Sequence, residues 1–250
     1  MKKSIIILIS LLFLSCNQSN LDNDKDMSNA CECSNSPVEM AAWDYPVKPG
    51  MEEWKQFHSN EEMASACQIP QKVLSSLSTE DLTKICIEYP LLSDVFAFNF
   101  LSDGADKLYN DFNGIRELFK RENVSKELMK HYNCLMQEFE FDSKSVIPVW
   151  SMEFLLGFYT QKSDVLTKED CKKMLQSLIC GYEKEVVHAD PAFSYPFPIN
   201  YYARAHVIIK MSPQSIDKIR GGKFNSVFNS DRFDKETMDI IDKLSYELIK

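Results

Sequence analysis

Leu128-Met-Lys-His-Tyr132-Asn-Cys-Leu135-Met136-Gln-Glu-Phe139 decides the fold class. Leu128, Met129, Tyr132, Leu135, Met136 and Phe139 recur at intervals of three and four, so they line one face of a helix. Cys171, Met174, Leu175, Leu178 and Tyr182 repeat the pattern, and Met238, Ile241, Leu244 and Leu248 give the last segment a similar face. Helix starts are written as well. Ser59-Asn-Glu-Glu62 is a capping box, and Ser78-Thr-Glu-Asp81 and Thr167-Lys-Glu-Asp170 are acidic variants of it. Pro70, Pro90 and Pro213 stand where first helical turns can begin.

No alternating strand run of useful length appears. Val146 to Trp150 is ambiguous, and Pro148 weakens it as a strand. From Met51 onward the reading is therefore all-α: roughly ten helices of about 8–20 residues joined by short breaks. Antiparallel helical pairs in a single domain are expected, compact or in a HEAT- or armadillo-like stack, although no clean repeat period is present.

The chain begins differently. Met1-Lys2-Lys3 is basic, Ser4 to Leu14 is an apolar run, and Ser15 is followed by Cys16. That is an export signal, too short to span a bilayer, which needs roughly 20 residues. Phe13-Leu14-Ser15-Cys16 resembles a lipobox, with Phe13 where Leu is usual. The resemblance implies that residues 1–15 are removed and that the Cys16 thiolate takes a diacylglyceryl group. Membrane contact is then through acyl chains, each buried methylene adding about 0.8 kcal/mol. Asn17, where Asp would retain a lipoprotein at the inner membrane, points to the outer membrane of a bacterial envelope.

Residues 16–36 are rich in Asn, Ser and Asp and read as a flexible tether. Asp22, Asp24 and Asp26 mimic the start of a calcium loop, but Met27 replaces its glycine and Cys33 its twelfth-position Glu. Residues 37–50 hold three prolines, Trp43 and Tyr45, and read as an extended lead-in against the domain formed by 37–250.

The chain has 250 residues and a formal net charge of −9. Loss of Lys2 and Lys3 with the leader makes it more negative, which argues against a nucleic-acid partner. Beyond Cys16, seven cysteines remain: Cys31, Cys33, Cys67, Cys86, Cys134, Cys171 and Cys180. Cys67, Cys86, Cys134 and Cys171 sit at apolar helical positions and read as small core residues. Cys171 and Cys180, nine residues apart on one helix, would lie about 13 Å apart and cannot bridge each other. Cys31-Glu-Cys33 lacks a second ligand pair at zinc spacing, so no metal and no cofactor is expected.

Trp54-Lys-Gln-Phe57, Ala66-Cys-Gln-Ile-Pro70, Leu77-Ser-Thr-Glu-Asp-Leu82, Glu88-Tyr-Pro90, Ala97-Phe-Asn99 and Phe112-Asn-Gly-Ile-Arg-Glu-Leu118 together are similar to a family of small helical lipoproteins and secreted proteins of Bacteroides-type bacteria. The similarity covers about 51–121. It implies a helical fold and an exported location, and brings no catalytic residues.

Chemistry is sparse. His-Glu-x-x-His, Gly-x-Ser-x-Gly, a phosphate loop and a dinucleotide fingerprint are all missing. Ser215-Ile-Asp-Lys218 matches Ser-x-x-Lys without its accompanying Lys-Thr-Gly. The most unusual segment is 188–206, with Pro191, Pro196 and Pro198 stiffening an aromatic stretch. His188, Asp190, Tyr195, Tyr201, Tyr202, Arg204 and His206 are its candidate ligand or partner surface for a peptide, protein or glycan. Asn99, Asn113, Arg116 and Glu117 form a second candidate polar cluster, with Asn113-Gly114 read as a helix break at positive φ. The expected function is a membrane-anchored, non-catalytic binding or scaffold module. The alternatives are a hydrolase using His188, Asp190 or His206, and a structural envelope component.

Overall fold

The computed structural model describes residues 43–137, 139–140, 143–188, 198–221 and 235–250. Eleven α-helices run through them: α1 (Asn60–Ala66), α2 (Gln71–Leu74), α3 (Thr79–Ile87), α4 (Leu101–Asp111), α5 (Asn113–Leu118), α6 (Val124–Gln137), α7 (Ser143–Lys162), α8 (Lys168–His188), α9 (Pro198–Met211), α10 (Ser215–Gly221) and α11 (Lys235–Leu248). Single 3₁₀ segments occupy Trp54–Gln56 and Leu92–Ala97, and no strand occurs among the described residues. The fold is all-α. Helices from 4 to 21 residues long give no constant repeating unit of paired helices.

The caps form where the sequence writes them. Ser59 Oγ accepts from the Glu62 N–H, and Glu62 Oε2 accepts from the His58 N–H at 2.7 Å. Ser78 Oγ accepts from the Asp81 N–H at 3.0 Å. Thr167 and Asp170 exchange both bonds, each backbone N–H reaching the other's side chain at 3.1 Å. Each such cap satisfies a donor the helix itself cannot, worth about 1 kcal/mol.

The three predicted faces are buried faces. Leu128, Tyr132 and Met136 of α6, Cys171, Met174, Leu175 and Leu178 of α8, and Ile241 and Leu244 of α11 lie in the core. The deepest elements show no such stripe. Residues 151–160 of α7 and 199–205 of α9 are buried on every side, the pattern of a helix surrounded by others. α7 and α9 approach closely at Gly157, where a Cβ would sit 2.7 Å from the Tyr202 ring and 2.9 Å from Ala203 Cα. Phe154 and Tyr202 stack beside that point at 5.9 Å between ring centroids. Pro148, the doubtful strand residue, lies inside α7.

The lead-in, described from Trp43, packs on the domain through Tyr45. Its ring is buried and its hydroxyl donates to Ile85 O at 2.7 Å. The described residues fall in one compact unit. Residues 1–42, with the leader, Cys16, the tether acids and Cys31 and Cys33, lie outside the described residues. No helix among the described residues is long and apolar enough to cross a membrane.

Candidate functional site

A cleft of about 360 Å³ opens between α1, the 3₁₀ segment Leu92–Ala97 and α4. That volume is at the small end of ligand pockets. The floor exists because α4 passes close to the 3₁₀ segment. A Cβ on Gly104 would lie 2.6 Å from Val95 O, so only glycine permits the approach. Tyr89 closes one end, stacked on Phe112 at 4.1 Å with an interplanar angle of 7°.

The walls are fixed by a clasp of two amides. Gln68 Nε2 donates to Ala64 O and to Asp111 O, both at 2.6 Å, and its Oε1 accepts from the Asn113 N–H at 3.2 Å. Asn113 Oδ1 accepts from the Ile69 N–H at 3.0 Å while its Nδ2 donates to Ile69 O at 2.7 Å. The end of α1 is thereby locked to the junction of α4 and α5. Arg116 adds a cap at the C-terminal end of α4, its Nη1 donating to Tyr109 O at 2.8 Å and also to Asn110 O.

Three charges line the cleft: Asp94, Lys107 and Asp111. Lys107 Nζ meets Asp111 Oδ2 at 2.6 Å and Glu61 Oε1 at 4.0 Å. The Asp111 carboxylate holds the Lys107 ammonium above its ordinary pKa. Asp94 is at the rim, and partial burial pushes its carboxyl up. Tyr89 is pushed up by burial, and then by the nearby Cys67, Asp111 and Asp94.

A second polar group is sealed inside the bundle of α6, α7, α8 and α9. Glu153, Glu185, Asn200, Tyr132 and Arg204 are all buried. Glu153 Oε1 accepts from Tyr132 Oη at 2.9 Å and from Asn200 Nδ2 at 2.6 Å. Asn200 Nδ2 also donates to Leu178 O at 3.0 Å. Burial holds both carboxyls far above the ordinary carboxylate range, and the Glu153 charge raises Glu185 further. Trp150 Nε1 lies near enough to oppose that rise, although it makes no hydrogen bond of normal geometry. This constellation can store a proton, and its side chains are buried.

No protein-family model, curated protein or solved structure matches the chain.

The sequence-derived surface at 188–206 is corrected in its described part. Tyr201, Tyr202 and Arg204 are core residues. Arg204 is tied to Asp242 at 2.7 Å and donates from Nε and Nη2 to Ser245 Oγ, with its guanidinium 5.1 Å from the Tyr201 ring centre. They are buried because α9 is enclosed by α7, α8 and α11, which no local pattern announces. His206 packs edge-on against Tyr202 at 4.6 Å, and burial lowers its pKa to about 4. It is too weak a base to take a proton near neutrality, which weakens the hydrolase alternative at that residue. His188 ends α8, while Asp190 and Tyr195 lie outside the described residues.

The second predicted cluster does not converge on one point. Asn99 is exposed in the turn after Phe98, Asn113 and Arg116 act as the clasps above, and Glu117 pairs with Arg121 at 2.8 Å. Arg121 in turn donates to Leu77 O and Leu74 O. Neither Asn113 nor Gly114 has positive φ; they open α5 directly after Phe112. Gly114 is required for space instead, since a Cβ would lie 2.4 Å from the Phe112 ring. Ser215 of the Ser-x-x-Lys match is buried and donates to Ser212 Oγ at 3.0 Å, while Lys218 is exposed.

Sequence reasoning missed Asp94, Lys107 and Asp111, whose spacing resembles any solvated helix face. Glu153 carried a signal, as the one charge in the apolar run Val149 to Tyr159. Glu185 carried none, preceded as it is by Glu183 and Lys184.

Proposed function

We propose that the protein is a non-catalytic binding module of the bacterial envelope, anchored by lipid on Cys16 at the outer membrane, with its ligand site in the cleft between α1, Leu92–Ala97 and α4. One observation carries the binding part. The cleft is a concavity held by an amide clasp, whereas the most strongly shifted carboxyls, Glu153 and Glu185, are buried in the core. A rigid concave site with few charges is how recognition is usually built.

Two measurements test the two parts. Cells fed an alkynyl fatty acid should label the wild-type chain and leave Cys16→Ser unlabelled and released from the membrane; equal labelling sinks the anchor. For binding, the full chain immobilised on beads should capture a component of envelope extracts that Ala97→Trp, which fills the cleft from its exposed rim, does not. Capture unaffected by that variant moves the site elsewhere and favours the scaffold or structural readings.

A further inference from the structure

Building on that reading of the cleft, we infer that it receives a cation on an apolar stem, an alkylammonium or alkylguanidinium group of the kind a lysine or arginine side chain presents. The sign of charge follows from how the three lining charges are paired. Lys107 already serves two carboxylates, Asp111 at 2.6 Å and Glu61 at 4.0 Å. An incoming anion would have to break that arrangement and would meet Asp94 as well. The Asp94 backbone N–H donates to Leu91 O at 3.1 Å, but its carboxylate has no ion pair or hydrogen bond among the described residues. With Glu61 counted, three carboxylates face one ammonium around the opening, so the unbalanced charge is negative.

The field is shared across the cleft rather than confined to its rim. Both Asp111 and Asp94 act on the Tyr89 phenol, which places both carboxylates within electrostatic reach of the ring that closes the far end. Asp94 is also partly desolvated without a cation to compensate, and a ligand cation would reverse that cost. Apart from Asn60 and the Tyr89 hydroxyl the rest of the lining is apolar, with Leu91, Val95, Phe98 and Leu108 providing the surface a hydrocarbon stem would cover. A compact polar cation lacking such a stem would leave this surface wet, and a neutral apolar ligand would leave Asp94 uncompensated.

The test uses the full chain and three probes of one length: n-hexylamine, n-hexanol and hexanoate. Binding is followed by NMR titration of the protein amides. Hexylamine is expected to bind about tenfold more tightly than hexanol, a difference of about 1.4 kcal/mol, with shifts centred on 89–111. Hexanoate is expected to bind more weakly than either. Asp94→Asn should remove the preference for hexylamine by weakening hexylamine binding without weakening that of hexanol; the Asp94 carboxylate makes no internal bond among the described residues, so the variant keeps the fold. Binding of hexylamine should also strengthen as pH rises through the Asp94 pKa. A leucyl-lysyl-leucine peptide amide capped at its N-terminus separates the sources: tighter binding than hexylamine assigns a polypeptide side chain, weaker binding a free amine. Equal affinity for hexylamine and hexanol, or an unchanged preference in Asp94→Asn, overturns the cation while leaving the cleft a binding site. Shifts for none of the probes at 89–111, or shifts there that persist in Ala97→Trp, overturn the cleft reading itself.

Discussion

Tyr132 of α6 donates its phenolic hydrogen to Glu153 Oε1 of α7 at 2.9 Å, and it reaches that oxygen through space that α8 leaves at Gly181. A Cβ at position 181 would lie 1.8 Å from the Tyr132 hydroxyl oxygen. Glycine costs a helix interior about 1 kcal/mol relative to alanine, so its presence there reflects this crossing.

Gly181→Ala should therefore destabilise the domain despite alanine's better helix propensity. Overpacking of this kind costs roughly 1–3 kcal/mol. Urea denaturation would measure it, and Tyr132→Phe in the same chain should recover part of the loss. A stabilised single variant would show that the helices separate freely at this point.

The buried Glu153 and Glu185 carboxyls predict an unusual pH profile. Burial raises Glu153 to about 7 and Glu185 further still, from an ordinary value of 4.5. The folded state then binds more protons than the unfolded chain. Their stabilisation is complete below about pH 4.5 and declines as pH rises through neutrality, by at most about 1.4 kcal/mol per pH unit for each proton retained. Thermal melts between pH 5 and pH 8 should fall with pH, and Glu185→Gln should flatten the fall. A profile that rises over this interval would contradict the protonated core.

Asn113→Ala removes both bonds to Ile69, leaving a half-buried N–H and C=O without their partner. A loss of roughly 1–3 kcal/mol is expected from the unmade bonds. The clasp also sets the cleft, so amide hydrogen exchange should rise around 64–69 and 111–113 more than in α8. Uniform loss of protection would mean that Asn113 stabilises the fold without shaping the site.

Cys67, Cys86 and Cys171 are buried, and burial pushes their thiols up, Cys67 and Cys171 to about 11. Thiolate is the reactive species, so iodoacetamide at pH 8 should leave these three unlabelled in the native protein and label them after unfolding. Rapid native labelling of any of them, read by peptide mass, would place it outside the core. Cys134 behaves differently from the small-core expectation: it is half-buried and disulfide-bonded.

The fold class was legible because helix-forming information is local. Capping boxes act over three residues, and the faces of α6, α8 and α11 are periodic within one turn or two. α7 and α9 were harder to orient, because a helix buried on all sides has no stripe to read. The aromatic residues at 201 and 202 looked like a recognition surface for the same reason that they make good core: large rings bury much area wherever their neighbours allow it.

By itself the sequence determined an all-α domain and the positions of its helix caps. Those features depend on residues close together in the chain. The tertiary structure alone decided that Arg204 and Tyr201 face inward, that Glu153 and Glu185 lie within electrostatic reach of each other, and that Asp94, Lys107 and Asp111 share a cleft. The physical reason is that burial and charge coupling belong to contacts between helices distant in sequence, and the identity of a single residue does not encode which neighbour will exclude its water.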